Sequence, residues 1–184
     1  IQIKHPKKAM ILGPTYSEYE REITLSGGSC VYFPLQEEED FLLNTEALLA
    51  HLTDGTDLLV ICNPNNPTGT AVSQKDMRRI LSICRERGIF VIVDETYVEF
   101  APDMDAVDSV PLTKDYDNLV VLRGVSKFFA APGLRLGYAI TGNTALLDEI
   151  SRFKNPWTIN SLAAAAGELM FSDETYIRQT RSLI

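Results

Sequence analysis

A lysine within an apolar segment is the residue of this sequence best suited to covalent chemistry. Lys127 lies in VSKFF, with Val125 two residues before it and Phe128 directly after it. Burial among apolar side chains lowers the pKa of a lysine, and a neutral amine can form an imine with a carbonyl group. The alternative is an ordinary lysine whose stem lies on the surface with its ammonium group in water. The first interpretation predicts a reactive amine at Lys127.

A carboxylate and a phenol follow another apolar run, IFVIV. Asp94 directly follows this run, where an acid either caps the next turn or binds a cationic group inside a pocket. Tyr97 comes three residues later, and its ring could pack or its hydroxyl could reach the same ligand as Asp94. Both side chains are therefore candidates for one ligand site.

Three further polar residues complete the candidate set. Asn66 lies in NPNNPTG, a composition typical of a rigid turn, but its side chain also offers a donor where a strand ends. Ser126 directly precedes Lys127, and Arg135 follows that lysine by eight residues. Arg135 could form a surface ion pair, or it could bind a phosphate in bidentate fashion with help from the Ser126 hydroxyl. The second interpretation predicts a phosphate site.

The elements that must position these residues alternate between strand and helix. Apolar runs predict strands at residues 9–13, 29–35, 57–62, 89–94, 118–123 and 134–141. Helical periodicity predicts helices at residues 17–26, 45–52 and 76–87, the last with Ser73 as its N-cap and Gly88 as its stop. From Asn143 onward the pattern is helical only, with a break at residues 155–156. This alternation predicts an α/β domain with a mostly parallel sheet.

The residues that follow the predicted strands are expected to share one site, because ligands of open α/β sheets bind beyond the carboxyl ends of the strands. These positions read GPTY (13–16), NPNNPTG (63–69), DETY (94–97) and RGVSK (123–127). Pyridoxal phosphate has a complementary group for every candidate. Lys127 would match its aldehyde, and Ser126 with Arg135 would match its phosphate. Asp94 would match the ring nitrogen, and Asn66 with Tyr97 would match the phenolic oxygen. Tyr16 would match the flat ring.

Composition excludes several other classes of function. The formal net charge is −8 and no basic stripe is present, which argues against nucleic-acid binding because that requires clustered Lys and Arg. Two histidines, His5 and His51, are too few for a histidine metal centre or a Ser-His-Asp triad. The three cysteines lie far apart in apolar segments and are predicted to be buried free thiols: Cys30, Cys62 and Cys84.

The ends and the apolar runs of the sequence predict the cellular location of the protein and whether the chain is complete. The longest runs, such as LLVIC and IFVIV, are far shorter than a bilayer span, and the N-terminus lacks the pattern of a signal peptide. We therefore expect a cytoplasmic protein with no membrane partner. The absence of an initial Met, together with a helical pattern that continues to the last residues, predicts a piece of a longer protein.

Three segments resemble a known family. ICNPNNPTG, VDETYVEF and SKFFAAPGLRLGY are similar to the fold-type I, class I/II aminotransferases, within them to the histidinol-phosphate aminotransferase and threonine-phosphate decarboxylase branches. The resemblance covers essentially the whole chain and implies a pyridoxal-phosphate-dependent transaminase. It implies that Lys127 is the Schiff-base lysine and that Asp94 is the partner of the ring nitrogen. Asn66 and Tyr97 would contact the phenolic oxygen, and Ser126 and Arg135 would be phosphate ligands. Tyr16 would stack on the ring.

The same resemblance implies how the chain is organised. Residues 1–184 would form the cofactor-binding large domain, a three-layer α/β sandwich truncated at both ends, with the small domain missing. The family's phosphate-binding helix N-terminus would lie upstream of this chain, and the arginine that binds the substrate carboxylate would follow it. We therefore expect a homodimer for the full-length protein and no catalytic competence for residues 1–184 alone.

The reaction stays open between transamination and decarboxylation. Amino-group transfer between a phosphorylated amino compound and a 2-oxo acid is placed first because it is the commoner chemistry in the group. Residues 14–21 and 154–163 look more like the decarboxylase branch, and Trp157 within the second stretch could line the substrate entrance or simply pack. A non-catalytic nucleotide-binding module and a structural fragment without cofactor also compete with these two reactions, although the sequence lacks a phosphate-binding glycine loop.

Overall fold

The computed structural model describes residues 1–52 and 54–184. Its centre is a six-stranded sheet in the order β2-β1-β3-β4-β5-β6. The strands are β1 (Lys8–Gly13), β2 (Ser29–Pro34), β3 (Leu58–Cys62), β4 (Phe90–Asp94), β5 (Leu119–Gly124) and β6 (Gly137–Ile140). The first five run parallel and β6 runs antiparallel to β5. The predicted α/β fold with a mostly parallel sheet is confirmed.

Seven helices accompany the sheet in the described residues. They are α1 (Glu18–Leu25), α2 (Thr45–His51), α3 (Gln74–Glu86), α4 (Met104–Val107), α5 (Thr144–Phe153), α6 (Ser161–Ser172) and α7 (Glu174–Leu183). The predicted signals of α3 are confirmed, since the Ser73 hydroxyl accepts from the Asp76 amide at 3.1 Å and Gly88 follows the helix with φ of 70°. The predicted break before α6 is also present.

The central strands β1 and β3 are buried on both faces, to which successive side chains point in alternation. Met10 and Leu12 of β1 face the larger core, which contains α2 and α3. Ala9 and Ile11 face the opposite side, where they pack with Ile23 of α1. Continuous apolar strands of this kind require a layer of chain on each side, and the result is the three-layer arrangement that the sequence predicts.

The last predicted strand and the predicted burial of one cysteine differ in the structure. The last strand begins at Gly137 instead of residue 134, because Pro132–Leu134 forms a 3₁₀ turn and Arg135 adopts a left-handed conformation with φ of 54°. Cys30 is partly exposed because β2 is an edge strand, whereas Cys62 and Cys84 are buried as expected.

None of the helices in the described part of the chain is both long enough and apolar enough to cross a lipid bilayer.

Candidate functional site

A cavity of about 270 Å³ lies at the carboxyl ends of the central strands. Strand β1 pairs with β2 on one side and β3 on the other, so the strand order reverses at this point, which is where ligands of open α/β sheets bind. All seven residues predicted for the site line this cavity: Tyr16, Asn66, Asp94, Tyr97, Ser126, Lys127 and Arg135. Four residues that the sequence did not indicate line it as well: Tyr19, Cys62, Thr96 and Pro132.

Within the part of the chain that the structure describes, the Asp94 carboxylate accepts hydrogen bonds from neutral donors only. Its Oδ1 accepts from the Thr96 amide at 2.9 Å and from the Thr96 hydroxyl at 2.6 Å. Its Oδ2 accepts from the Tyr19 hydroxyl at 2.8 Å. The ion pairs of the described residues do not include Asp94. Asp94 therefore caps its turn, and it also presents an oriented carboxylate at the cavity wall, with no ion pair among the described residues.

Tyr19 is the functional candidate that sequence reasoning missed. Burial and the neighbouring Asp94 carboxylate raise the pKa of Tyr19 well above its ordinary value, so the hydroxyl stays protonated and donates. The Tyr19 ring also contacts Tyr16 edge to face, with 5.7 Å between centroids and 83° between planes. The contact of Tyr19 with Asp94 spans 75 residues and leaves no local pattern in the sequence.

Lys127 lies on the turn after β5 and faces the cavity, but it is exposed. The expected burial of its amine is therefore wrong. Val125 and Phe128 turn into the core, at 0% and 2% exposure, so Lys127 between them points outward to the open mouth of the cavity. Its Nζ lies 5.7 Å from the centroid of the Tyr97 ring, a distance at which a ring face attracts a cation. The amine is thus oriented by an aromatic ring and accessible to a ligand.

The NPNNPTG segment divides its asparagines between structure and the cavity. Asn65 is buried, and its amide donates to the Pro14 carbonyl at 2.9 Å and to the Thr68 hydroxyl at 2.9 Å. Asn63 is bonded within the same loop region, to the backbone of Val72. Asn66 lines the cavity instead. The rigid-turn interpretation holds for Asn63 and Asn65, and their bonds fix the loop in which Asn66 borders the cavity.

Several polar groups at the cavity have no hydrogen-bond partner among the described residues. Within residues 1–52 and 54–184, the side chains of Asn66 and Ser126 and the hydroxyl of Tyr97 make no hydrogen bond to other protein groups. Polar groups at a protein's binding surface that have no internal partner are free to bond water or a ligand. They lie in one cavity with the Lys127 amine and the Asp94 carboxylate.

Arg135 does not form the surface ion pair that was one interpretation of its position. It is exposed, and one of its guanidinium nitrogens donates to the Pro132 carbonyl at 3.1 Å, while the ion pairs of the described chain involve other residues. Trp157 is 86% exposed and does not line the cavity, so it neither packs nor borders the site in this structure.

The arrangement matches the groups of pyridoxal phosphate. Ser126 and Arg135 offer a hydroxyl and a cation to a phosphate, and Asp94 offers an anion to a protonated ring nitrogen. The exposed ring of Tyr16, with 52% of its surface accessible, offers a face to a flat heterocycle. The donor set therefore suits a ligand that is anionic at one end and cationic at the other.

Comparison with known sequences gives a consistent result. The family profile described as aminotransferase class I and II matches residues 1–184. A putative threonine-phosphate decarboxylase of Caldanaerobacter subterraneus subsp. tengcongensis is 39% identical over 178 residues, which is 97% of this chain and 48% of that protein. A histidinol-phosphate aminotransferase of Clostridium novyi is 37% identical over 175 residues, covering 95% and 46%. The chain thus spans about half the length of the curated relatives it matches.

Comparison with solved structures agrees on the fold. The crystal structure of the histidinol-phosphate aminotransferase from Clostridium acetobutylicum superposes with a TM-score of 0.89 at 33% sequence identity. The match covers 98% of this chain and 53% of that one. The fold described above is therefore that of about half of such a protein.

Proposed function

Because the chain belongs to the class I and II aminotransferases, we propose that it forms the cofactor-binding part of an enzyme of the histidinol-phosphate aminotransferase type. The family consists of pyridoxal-phosphate-dependent enzymes. The proposed reaction transfers an amino group between a phosphorylated amino compound and a 2-oxo acid. One observation carries the proposal: the accessible Lys127 amine and the cation-free Asp94 carboxylate line the same cavity.

The residues would divide the work of holding the cofactor. Asp94 would accept a hydrogen bond from the protonated ring nitrogen, and Tyr19 and Thr96 would hold that carboxylate in place. Ser126 and Arg135 would bind the phosphate. The phenolic oxygen and the ring face would be contacted respectively by Asn66 with Tyr97 and by Tyr16.

Lys127 would have two tasks in this site. Its amine would hold the cofactor aldehyde, and the same amine would move a proton at the substrate carbon that bears nitrogen. Pyridoxal phosphate supplies an electron-withdrawing pyridinium ring that stabilises negative charge at that carbon. The Tyr97 ring, 5.7 Å from Nζ, would keep the amine near the reacting atoms.

A second candidate reaction is decarboxylation of threonine phosphate. It is favoured by the putative threonine-phosphate decarboxylase that is 39% identical and by the Salmonella typhimurium threonine-phosphate decarboxylase that is 37% identical to this chain. Both reactions would use the residues above, since they differ in which bond of the substrate carbon is broken. The side chain that orients the substrate carboxylate would decide between them.

The wider properties of the enzyme are proposed from the same family relationship. We expect residues 1–184 to act as one cofactor-binding domain within a homodimer, and the protein to work in the cytoplasm on small-molecule substrates. Residues 1–184 alone are expected to be inactive, because no residue of the site described here is assigned to the substrate carboxylate.

Product analysis on the protein at its full natural length tests the proposal. Histidinol phosphate with 2-oxoglutarate should yield glutamate in the presence of pyridoxal phosphate. Release of carbon dioxide from threonine phosphate, without formation of an oxo acid, would move the assignment to the decarboxylase. Absence of both products, with no binding of pyridoxal phosphate, would contradict the whole proposal.

A further inference from the structure

A buried cluster of charged residues lies next to the strand ends that carry the site. The Glu95 side chain is 0% exposed, and the side chains of Arg123 and Asp108 are 12% and 15% exposed. The Nε and Nη2 of Arg123 donate to Glu95 Oε2 at 3.0 Å and 2.7 Å. Nη2 also donates to Asp108 Oδ1 at 2.6 Å. One guanidinium therefore joins two carboxylates.

Backbone amides satisfy further acceptor positions of both acids. Glu95 Oε1 accepts from the Ser109 amide at 2.6 Å, and Asp108 Oδ1 accepts from the Val110 amide at 2.7 Å. Burial raises the pKa of Glu95, while the hydrogen bonds from Arg123 and Ser109 oppose that rise. Buried ion pairs often add little stability over apolar residues of similar size, because desolvation offsets the attraction. The cluster is therefore better explained by the chain segments that it holds in place than by a gain in stability.

The cluster connects the two chain segments that carry the proposed reactive groups. Glu95 directly follows Asp94, and its amide donates to the Leu122 carbonyl of β5 at 2.8 Å. Arg123 lies in β5, four residues before Lys127. The Arg123–Glu95 bond thus adds a second, side-chain link between β4 and β5 just where the backbone pairing ends. Residues 124–126 separate this link from Lys127, and the turn is held on its other side by the Val125 amide, which donates to the Leu136 carbonyl at 3.2 Å, and by the Tyr176 hydroxyl, which donates to the Phe128 carbonyl at 2.9 Å.

We propose that Arg123 and Glu95 are positioning residues, which fix the turn of residues 125–131 relative to Asp94. The inference rests on the proposed function, because it assigns the pair to the separation between a cofactor-binding amine and its counter-acid. The planar guanidinium matters, since its fork contacts both Glu95 and Asp108, whereas the ammonium group of a lysine is a point donor. A displacement of about 1 Å at reacting groups can cost up to about 10²-fold in rate.

The test compares two conservative variants with a matched control in the protein at its full natural length. Arg123→Lys keeps the charge and removes the fork, and Glu95→Gln keeps the shape and removes the charge. Arg78→Lys is the control, because Arg78 pairs with Asp115 at 2.9 Å on the surface, where the two side chains are 44% and 57% exposed. Amide hydrogen exchange without cofactor and the dissociation constant of pyridoxal phosphate are measured for each protein.

A positioning role predicts local effects. Amide exchange in residues 125–131 should rise about fivefold or more while α3 stays unchanged, because only the linked turn is released. The dissociation constant of pyridoxal phosphate should rise about tenfold in both variants, because binding must then order the loosened turn, and stay unchanged in Arg78→Lys.

Four results would overturn the inference. Unchanged exchange at residues 125–131 or unchanged cofactor affinity would show that the pair does not position the turn. Exchange that rises equally throughout the chain would show a general stabilising role. Failure of both variants to fold would also show only a stabilising role, while failure of one leaves the other to decide. These results differ from failure of the proposed function, in which the unmodified protein would not bind pyridoxal phosphate at Lys127.

Discussion

Replacement of Asp94 by Asn separates the ligand role of this carboxylate from its structural role. In Asp94→Asn, the Oδ1 can still accept from the Thr96 amide and hydroxyl, which lie at 2.9 Å and 2.6 Å. The new Nδ2 replaces Oδ2 and can donate to the Tyr19 hydroxyl oxygen, 2.8 Å away, while the Tyr19 hydrogen turns to the Cys62 sulfur, with which this hydroxyl also bonds. Because the local hydrogen bonds are kept, the free energy of unfolding of the cofactor-free protein should change by less than about 1 kcal/mol.

The loss of negative charge should nevertheless weaken cofactor binding strongly. Asp94 has no cationic partner among the ion pairs of the described residues, so a protonated ring nitrogen would supply its only charged contact. A hydrogen bond to a charged group contributes about 1.5–3 kcal/mol. At about 1.4 kcal/mol per tenfold change, the dissociation constant of pyridoxal phosphate should rise between about 10-fold and 150-fold.

An absorbance titration of the full-length protein with pyridoxal phosphate measures this change. Asp115→Asn is the control, because Asp115 is an exposed acid that pairs with Arg78 and lies outside the cavity. Unchanged affinity in Asp94→Asn, or an equal loss in the control, would refute the reasoning. A loss of several kcal/mol in unfolding free energy would show instead that the carboxylate is mainly structural.

Three further changes test separate parts of the account. Tyr19→Phe removes a donor to Asp94 and should lower the unfolding free energy by about 1 kcal/mol in urea titrations. The control Tyr32→Phe removes a hydroxyl that bonds the exposed Glu20 and should change the unfolding free energy by less than about 0.5 kcal/mol. Equal effects of the two variants would contradict this. Arg135→Lys should weaken pyridoxal phosphate about tenfold but leave pyridoxal unchanged, and an equal loss for pyridoxal would exclude a phosphate contact. Burial raises the pKa of Cys84 to about 12, so the folded state favours the protonated thiol. The unfolding free energy should therefore fall by about 1.4 kcal/mol per pH unit as the pH rises from about 9 toward 12. Cys84→Ala should remove that part of the alkaline slope in urea titrations between pH 8 and 10, and an identical slope would contradict it.

The sequence predicts the fold and the residues that line the candidate cavity because both leave local signals. Parallel strands buried on both faces read as apolar runs, and the residues directly after them must meet at one edge of the sheet. Asn66, Asp94 and Lys127 each follow such a run, and the structure brings them together in one cavity. Helix α3 is predicted by its apolar period and by the cap at Ser73.

What the sequence does not predict depends on contacts between distant segments. The bond between Tyr19 and Asp94 and the bond between Glu95 and Arg123 join residues 75 and 28 positions apart. The exposure of Lys127 is likewise set by the directions of its neighbours in a turn, which an apolar composition does not reveal. The types of the neighbouring residues therefore predict the burial of a side chain less well than a periodic apolar pattern does.

Reductive trapping with borohydride tests most directly whether Lys127 is the amine that binds the cofactor. The full-length protein is loaded with pyridoxal phosphate, reduced and digested, and the labelled peptide is identified by mass spectrometry. The account predicts a yellow protein whose label is fixed on the peptide that contains Lys127. A colourless protein, or a label on Lys75 or Lys154 instead, would contradict it.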